Sequence, residues 1–225
     1  LAMSNREFDE LKELYSDYKI PFWMNTRAET INEYRAAGLA EMNMLRMNIG
    51  IEHGNYEYRR NYLKRNVKDE VQIRAFEIAA EHDYASCANS IIGMPDETRD
   101  LIFDTINFVR KLPDSIDATG AFIFAPYHGT PLRDLAIRKG YIKDEEICSL
   151  SNTSESMLRM PTITKNEIQG LAKTFSLYTK FPKERWPEIK IAESDDVEGK
   201  KMMDKLGKEF DSTYRQFAAG TDLHD

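Results

Sequence analysis

Cysteine is scarce in this chain of 225 residues: only Cys87 and Cys148 are present. Two cysteines so far apart make neither a disulfide framework nor a zinc-ligand pattern, and they predict reduced thiols in a cytoplasmic protein. An excess of basic charge is also lacking. The net charge is −7 and the sequence pI is about 5.3, so there is no footprint for neutralising phosphates and no nucleic-acid partner is expected. No apolar run approaches the ~20 residues of a membrane span. The opening Leu1–Arg6 carries no apolar stretch of the signal-peptide kind, and because Met is third it reads as the edge of a fragment. Internal repeats and low-complexity tracts are missing as well. What remains, 41% hydrophobic and 31% charged residues, suits a soluble chain with one sizeable core or one domain with an appendage.

What is there is an alternation of short β-rich runs with helical patterns. Phe8, Leu11, Leu14, Tyr15 and Tyr18 recur at helical spacing over 4–18. Ile20–Met24 reads as a strand, then a helix over about 28–37 with Gly38 just past its end. The pattern repeats with a strand at Met44–Ile51, a helix over 68–82 and a strand at Ser86–Ile92. A helix over about 97–111, a strand at Ala118–Phe124 and a short helix ending before Gly140 follow. In the 68–82 helix, Val71, Ala75, Ile78, Ala79 and His82 form the expected apolar face. Strands that alternate with helices imply parallel βα units, because parallel neighbours need a crossover connection. The fold class is therefore α/β, with about four parallel strands. The last third changes character. Thr164-Lys165-Asn166-Glu167 is a capping-box signature ahead of Ile168, Leu171, Phe175 and Tyr178, Pro182 and Pro187 break the chain, and a charged helix is expected at about 196–219.

Side chains alternate across a strand, so each strand has two faces. In Met44–Glu52 one face is Leu45, Met47, Ile49 and Ile51, and the other is Arg46, Asn48, Gly50 and Glu52. The second face is too polar for a filled core and suits a wet cavity, or an edge strand exposed to water. Asn25 and Arg27 share a face after Trp23, and Asn89 shares one with Cys87 and Ile91. Ligands of parallel βα folds sit at the C-terminal ends of the strands, and these polar residues lie at or near such ends.

Three strand exits carry motifs. Gly50-Ile51-Glu52-His53-Gly54 has two glycines, which permit close approach or unusual φ, and an acid able to accept two hydroxyl hydrogen bonds. Ile91-Ile92-Gly93-Met94-Pro95-Asp96-Glu97-Thr98 runs through a glycine turn, with Pro95 at an early helix position and Asp96 or Glu97 complementing the helix terminus; a well-made βα turn explains much of it. Phe124–Leu132 is a Pro/Gly loop where a planar ligand could lie. His53 and His128 are expected as polar residues on the rim.

In order and spacing, GIEHG, Leu63-Lys64-Arg65, NSIIGMPDET and FAPYHGTPL resemble the C-terminal half of radical SAM (S-adenosylmethionine) enzymes, above all those with a cobalamin-binding domain. The resemblance covers roughly residues 1–190. It implies a partial TIM-like (β/α) barrel over 1–142, a helical extension over 143–192 and a charged, helical tail over 193–225. It implies a parent enzyme that cleaves SAM reductively to a 5′-deoxyadenosyl radical, using a [4Fe–4S] cluster and, in the nearest members, cobalamin for methyl transfer or rearrangement. By resemblance, Glu52 contacts the ribose or methionyl part of SAM, Arg65 its carboxylate and Asn89 the ribose hydroxyls, while Ile91 and Phe124 lie near adenine. Arg27 and Asn25 are added from the residues themselves, as carboxylate or substrate contacts. No catalytic or metal-ligating residue is assigned. The C-x3-C-x2-C motif that holds the cluster is not in this sequence. The chain is thus expected to be a fragment that does not bind the cluster alone. Its open first strand is expected to favour self-association. Two other readings are a non-catalytic α/β module for a nucleotide-like ligand or a protein, and an RNA-modifying radical SAM protein, against which the acidic tail speaks.

Overall fold

A computed structural model of the protein describes residues 1–116, 118–148 and 155–214. Four strands, β1 (Phe22–Arg27), β2 (Met44–Glu52), β3 (Ala85–Ile92) and β4 (Ala118–Ile123), form one parallel sheet in chain order. The helices are α1 (Asn5–Ser16), α2 (Glu33–Glu41), α3 (Tyr56–Asn61), α4 (Asp69–Ala80), α5 (Arg99–Val109), α6 (Pro131–Arg138), α7 (Lys165–Lys180), α8 (Trp186–Ala192) and α9 (Val197–Tyr214). This is an α/β fold, a partial (β/α) barrel followed by a helical C-terminal region. No helix among the described residues is long and apolar enough to cross a membrane.

The face alternation of β2 decides which side of the sheet is covered. Met47, Ile49 and Ile51 are fully buried and join Phe76, Ile102, Ile106 and Phe175 of the helices in one core. Burial of such side chains contributes roughly 1.5–3 kcal/mol each. On the other face Arg46, Asn48, Gly50 and Glu52 are only partly covered, and Trp23, Asn25 and Arg27 of β1 are exposed. The polar face of this central strand thus looks into an open concavity. The register places Arg27, Gly50, Asn89 and Gly120 in one row across all four strands, and Asn25, Asn48 and Cys87 in the row beneath.

Several helix starts follow from capping. Ser4 and Glu7 form a capping box on α1, and Thr164 and Glu167 form one on α7. Asn32, Asn55, Thr98 and Thr130 cap α2, α3, α5 and α6. These caps also explain where the sequence reading shifts. The helix expected from Ala28 begins at Glu33, because Asn32 accepts the Arg35 N–H; Ala28–Thr30 form a separate 3-10 turn. Gly38 lies inside α2 rather than after it, where a Cβ would come within 2.6 Å of the Phe8 ring, and the left-handed exit falls to Asn43. Strand β1 starts after Pro21, since Tyr15 Oη holds the Ile20 carbonyl in the preceding connector. Pro95 sits in the turn before α5, not in the helix, which opens at Arg99 under the Thr98 cap. In α4 the buried stripe is Gln72, Ala75, Phe76, Ile78 and Ala79, and Val71 is exposed.

The C-terminal helices share the core of the barrel. Leu171, Phe175, Tyr178, Ile189 and Leu206 belong to the same hydrophobic cluster as the sheet. Arg110, the C-cap of α5, donates to the carbonyls of Tyr178, Thr179 and Phe181 at the end of α7. Buried Glu193 receives Arg99, Lys190 and the Tyr178 hydroxyl. The expected tail helix is observed to Tyr214; residues 215–225 lie outside the described residues.

Candidate functional site

Glu52 ends β2 with φ +66, a left-handed value that is uncommon for a side-chain-bearing residue. The His53 N–H donates to the Ile51 carbonyl at 3.0 Å, so the backbone makes a γ-turn centred on Glu52. The turn folds the carboxylate back over Gly50, where a Cβ would lie 2.5 Å from Glu52 Oε1. Gly50 thus leaves room for the folded-back acid, and a Cβ there would push the carboxylate aside. Gly54 has a different task. Its N–H donates to Thr105 Oγ1 at 2.9 Å, and a Cβ there would meet the Thr105 Cα at 2.4 Å, so it lets α5 approach the turn.

Arg65 organises the charges at this strand end. Its Nη1 donates to Glu52 Oε1 at 3.1 Å and its Nη2 to Glu29 Oε2 at 3.3 Å. Arg27 Nη1 lies 4.0 Å from Glu29 Oε1. The Arg65 side chain is almost wholly buried, and its Nε has no hydrogen-bond partner among the described residues. Burial pushes the Glu52 carboxyl above its ordinary value, and the nearby Arg65 and Arg27 only partly offset this. Glu52 Oε2 makes no hydrogen bond among the described residues. The site thus offers an uncommitted carboxylate oxygen beside an uncommitted guanidinium N–H.

Two clefts adjoin here. A polar cleft of about 670 Å³ is lined by Arg27, Glu29, Glu52, Arg65 and Lys68 among others. An apolar cleft of about 440 Å³ is lined by Phe122, Phe124, Tyr127, Tyr62 and Leu132. Leu63, Lys64 and Ile91 line both and form the septum between them. A ligand with one zwitterionic end and one planar apolar end fits such a pair.

The turn after β3 is tied down from every side. Glu97 is fully buried, and its Oε2 accepts the N–H groups of Gly93 and Met94. The expected role for Asp96 or Glu97 at the helix terminus is therefore corrected: Glu97 closes the turn. Asp96, at φ +64, accepts from Tyr141 at 2.6 Å and Tyr62 at 3.0 Å and pairs with Lys139 at 2.7 Å. Tyr58 Oη holds the Pro95 carbonyl at 2.7 Å.

Of the residues singled out from sequence, Glu52, Arg65, Arg27 and Ile91 line the polar cleft, and Ile91 and Phe124 the apolar one. Asn89 stands between Gly50 and Gly120 in the register, on the open face. Asn25 lies one row lower, where Asn48 Nδ2 donates to its side-chain oxygen at 2.9 Å, and it lines neither cleft. His128 is exposed, but His53 is fully buried, which overturns its reading as a rim residue. Its ring stacks on Tyr58, and Tyr58 stacks on Tyr62. Sequence reasoning missed Glu29, whose only signal is an acid two residues past a strand end.

The radical SAM superfamily model matches residues 2–109. An uncharacterized methyltransferase from Pyrococcus horikoshii is 30% identical over 118 residues, 52% of this chain and 25% of the relative. The chain thus spans about a quarter of the length of the curated relative that it matches. Two solved structures share the fold at low identity. The cobalamin-dependent SAM radical enzyme OxsB with aqua-cobalamin bound superposes with a TM-score of 0.54 and 14% identity, over 92% of this chain and 35% of its own. The radical SAM methyltransferase TsrM from Kitasatospora setae, with cobalamin and [4Fe–4S] cluster bound, gives 0.51 and 13%, over 91% of this chain and 50% of its own.

The superfamily implies SAM and a [4Fe–4S] cluster, and the residues of this chain fit the two unequally. The Gly50 cradle, the orphaned Arg65 Nε and the apolar cleft suit SAM. The cluster takes three thiolates by resemblance, and this sequence has two cysteines. Cys87 is buried on β3 with Arg46 Nη1 at 3.4 Å, and the described residues contain no group of His, Cys, Asp or Glu placed to hold a metal ion. The donor set does not fit the cluster.

Proposed function

We propose that this chain supplies the SAM-holding strand ends of a radical SAM methyltransferase, with the methionyl end of SAM in the polar cleft and adenine in the apolar one. The observation that carries this reading is the adjoining pair of clefts at the C-terminal ends of parallel strands, one charged and one apolar, with Ile91 between them. Arg65 pairs with the methionyl carboxylate. Glu52 accepts from the ammonium or the ribose hydroxyls, and Asn89, flanked by glycines, reaches the ribose. Phe122, Phe124 and Ile91 stack against adenine. Arg27 and Asn25 face the substrate side of the concavity. Bound SAM would supply a methyl group to the substrate or, given one electron from elsewhere in the whole enzyme, a radical; the residues of this chain orient it and exclude water.

Methyl transfer assisted by cobalamin is proposed for the whole enzyme, with support from the methyltransferase relative and from the two fold neighbours. A cytoplasmic location is proposed with it, on the grounds of cysteine usage. We also propose that β1, which among the described residues pairs only with β2 and beside which Ile20 and Trp23 are at least half exposed, recruits a second copy at its edge. A clean monomer in light scattering would remove that part.

Equilibrium dialysis with radiolabelled SAM tests the ligand. Saturable binding is expected, with competition by both methionine and adenosine, and Ile91→Trp should abolish it by filling the septum. Absence of saturable binding to the folded chain overturns the reading. Incubation with iron and sulfide should leave no absorbance near ~400 nm, the region of cysteine-ligated clusters.

A further inference from the structure

The buried side of the β2 exit contains polar groups that the ligand reading does not use. His53 and Glu97 have no exposed surface, and His53 Nε2 lies 3.1 Å from Glu97 Oε1, off the line of the ring N–H. His53 Nδ1 accepts the Asn55 N–H at 3.0 Å, which leaves Nε2 to carry the proton that faces Glu97. The imidazole stacks on Tyr58 with centroids 4.3 Å apart. Its backbone carbonyl and that of Gly54 accept from buried Arg59 Nη1 at 2.7 and 3.0 Å. Glu97 in turn holds the backbone of Gly93 and Met94. One buried carboxylate therefore closes the β3 turn and lies in close contact with His53 at the β2 exit.

The residue before His53 is the strained one. A left-handed φ at a residue with a Cβ persists only where the surroundings over-determine it, and such strain clusters at binding sites. Glu52 meets that description: its side chain faces the cleft, its backbone pairs with Ser90 across a register shift after Gly50, and Arg59 fixes the carbonyls of residues 53 and 54.

We propose that His53 and Glu97 are positioning residues that hold Glu52 in its γ-turn, so that its carboxylate stays folded over Gly50 and aimed at the ligand before any ligand arrives. Neither residue lines the polar or the apolar cleft. Without the tie, the peptide after Glu52 relaxes to an extended φ and the carboxylate leaves Arg65. The consequence for affinity rests on the SAM reading above; the consequence for Glu52 itself does not.

The experiment reads Glu52 directly, by carbon-13 NMR titration of its side-chain carboxyl in the full chain. The charged groups that face it are Arg65, Arg27 and Glu29. Wild type should titrate above the ordinary glutamate value, in keeping with burial of the carboxyl. In His53→Phe, which keeps a ring against Tyr58 and removes both nitrogens, Glu52 should return to the ordinary value and SAM affinity should fall about tenfold. His53→Gln, which restores an N–H donor towards Glu97, should recover part of both. If His53→Phe does not fold, Glu97→Gln replaces it with the same expectation, because it faces the His53 N–H with an amide donor. A folded His53→Phe or Glu97→Gln with an unchanged Glu52 titration overturns the proposal. Failure of wild type to bind SAM would instead strike the ligand reading and leave the titration to decide this one.

Discussion

Glu52 and Asp96 are both carboxylates at the exits of neighbouring parallel strands, and both adopt a left-handed backbone, at φ +66 and +64. Their surroundings differ. Asp96 has two tyrosine hydroxyls and an ammonium on its two oxygens, all from this chain. Glu52 has Arg65 on one oxygen only. Burial raises both acids, but at Asp96 the Lys139 ammonium and the Tyr141 and Tyr62 hydroxyls outweigh it and hold the acid below the usual value. At Glu52 burial prevails and the acid rises. An acid whose acceptor capacity is used internally stabilises the fold, and one kept buried and under-satisfied is available to a ligand.

The largest effect that would break this contrast is on stability. Asp96→Ala should cost about 2 kcal/mol, since hydrogen bonds to a charged group contribute about 1.5–3 kcal/mol. Urea unfolding measures it, and a loss much below 1 kcal/mol would make Asp96 as dispensable as Glu52. Next, Glu52→Ala should weaken SAM binding about tenfold, or ~1.4 kcal/mol, with little change in the unfolding midpoint. An equal loss of affinity in a folded Asp96→Ala would erase the distinction. Glu52→Gly should keep or raise stability, by up to about 1 kcal/mol, because glycine takes the left-handed conformation without the steric cost. A clear loss would show that Glu52 supports the fold after all.

The smallest effect is in the pH dependence, where the two acids have opposite signs. Asp96 has a lowered folded pKa, so its stabilisation is present above the unfolded aspartate value near ~4 and is lost as pH falls through the folded value. Glu52 has a raised folded pKa, so the folded chain holds that proton more tightly and stability declines as pH rises through the folded value. Glu52→Gln should therefore stabilise at neutral pH but not below about pH 4, whereas Asp96→Asn should destabilise at neutral pH. Urea midpoints across pH 3–8 for the two variants (a range chosen about the ordinary carboxylate values) would show parallel slopes if the contrast is wrong.

Much of the fold was legible in advance because its signals are local. Period-two alternation in Met44–Glu52 determined both faces of the central strand, and capping residues such as Thr164 with Glu167 announced their helix. Four motifs in order, three of them at strand exits, also pointed to the candidate site. Short helices were harder: α3 has six residues, too few for a periodic pattern. His53 looked like a rim residue because nothing nearby in sequence reveals that Glu97 would cover it.

The sequence by itself thus determined the α/β alternation and the polar face of the central strand, and the resemblance it carries pointed to Glu52, Arg65 and Ile91. Only the tertiary structure decided which acid is spent and which is kept. The partners that settle it, Lys139 and Tyr141 for Asp96, Arg65 and His53 for Glu52, come from the segments after α6 and α3 or from a backbone turn. Hydrogen-bond satisfaction depends on distance in space, and separation along the chain carries no record of it.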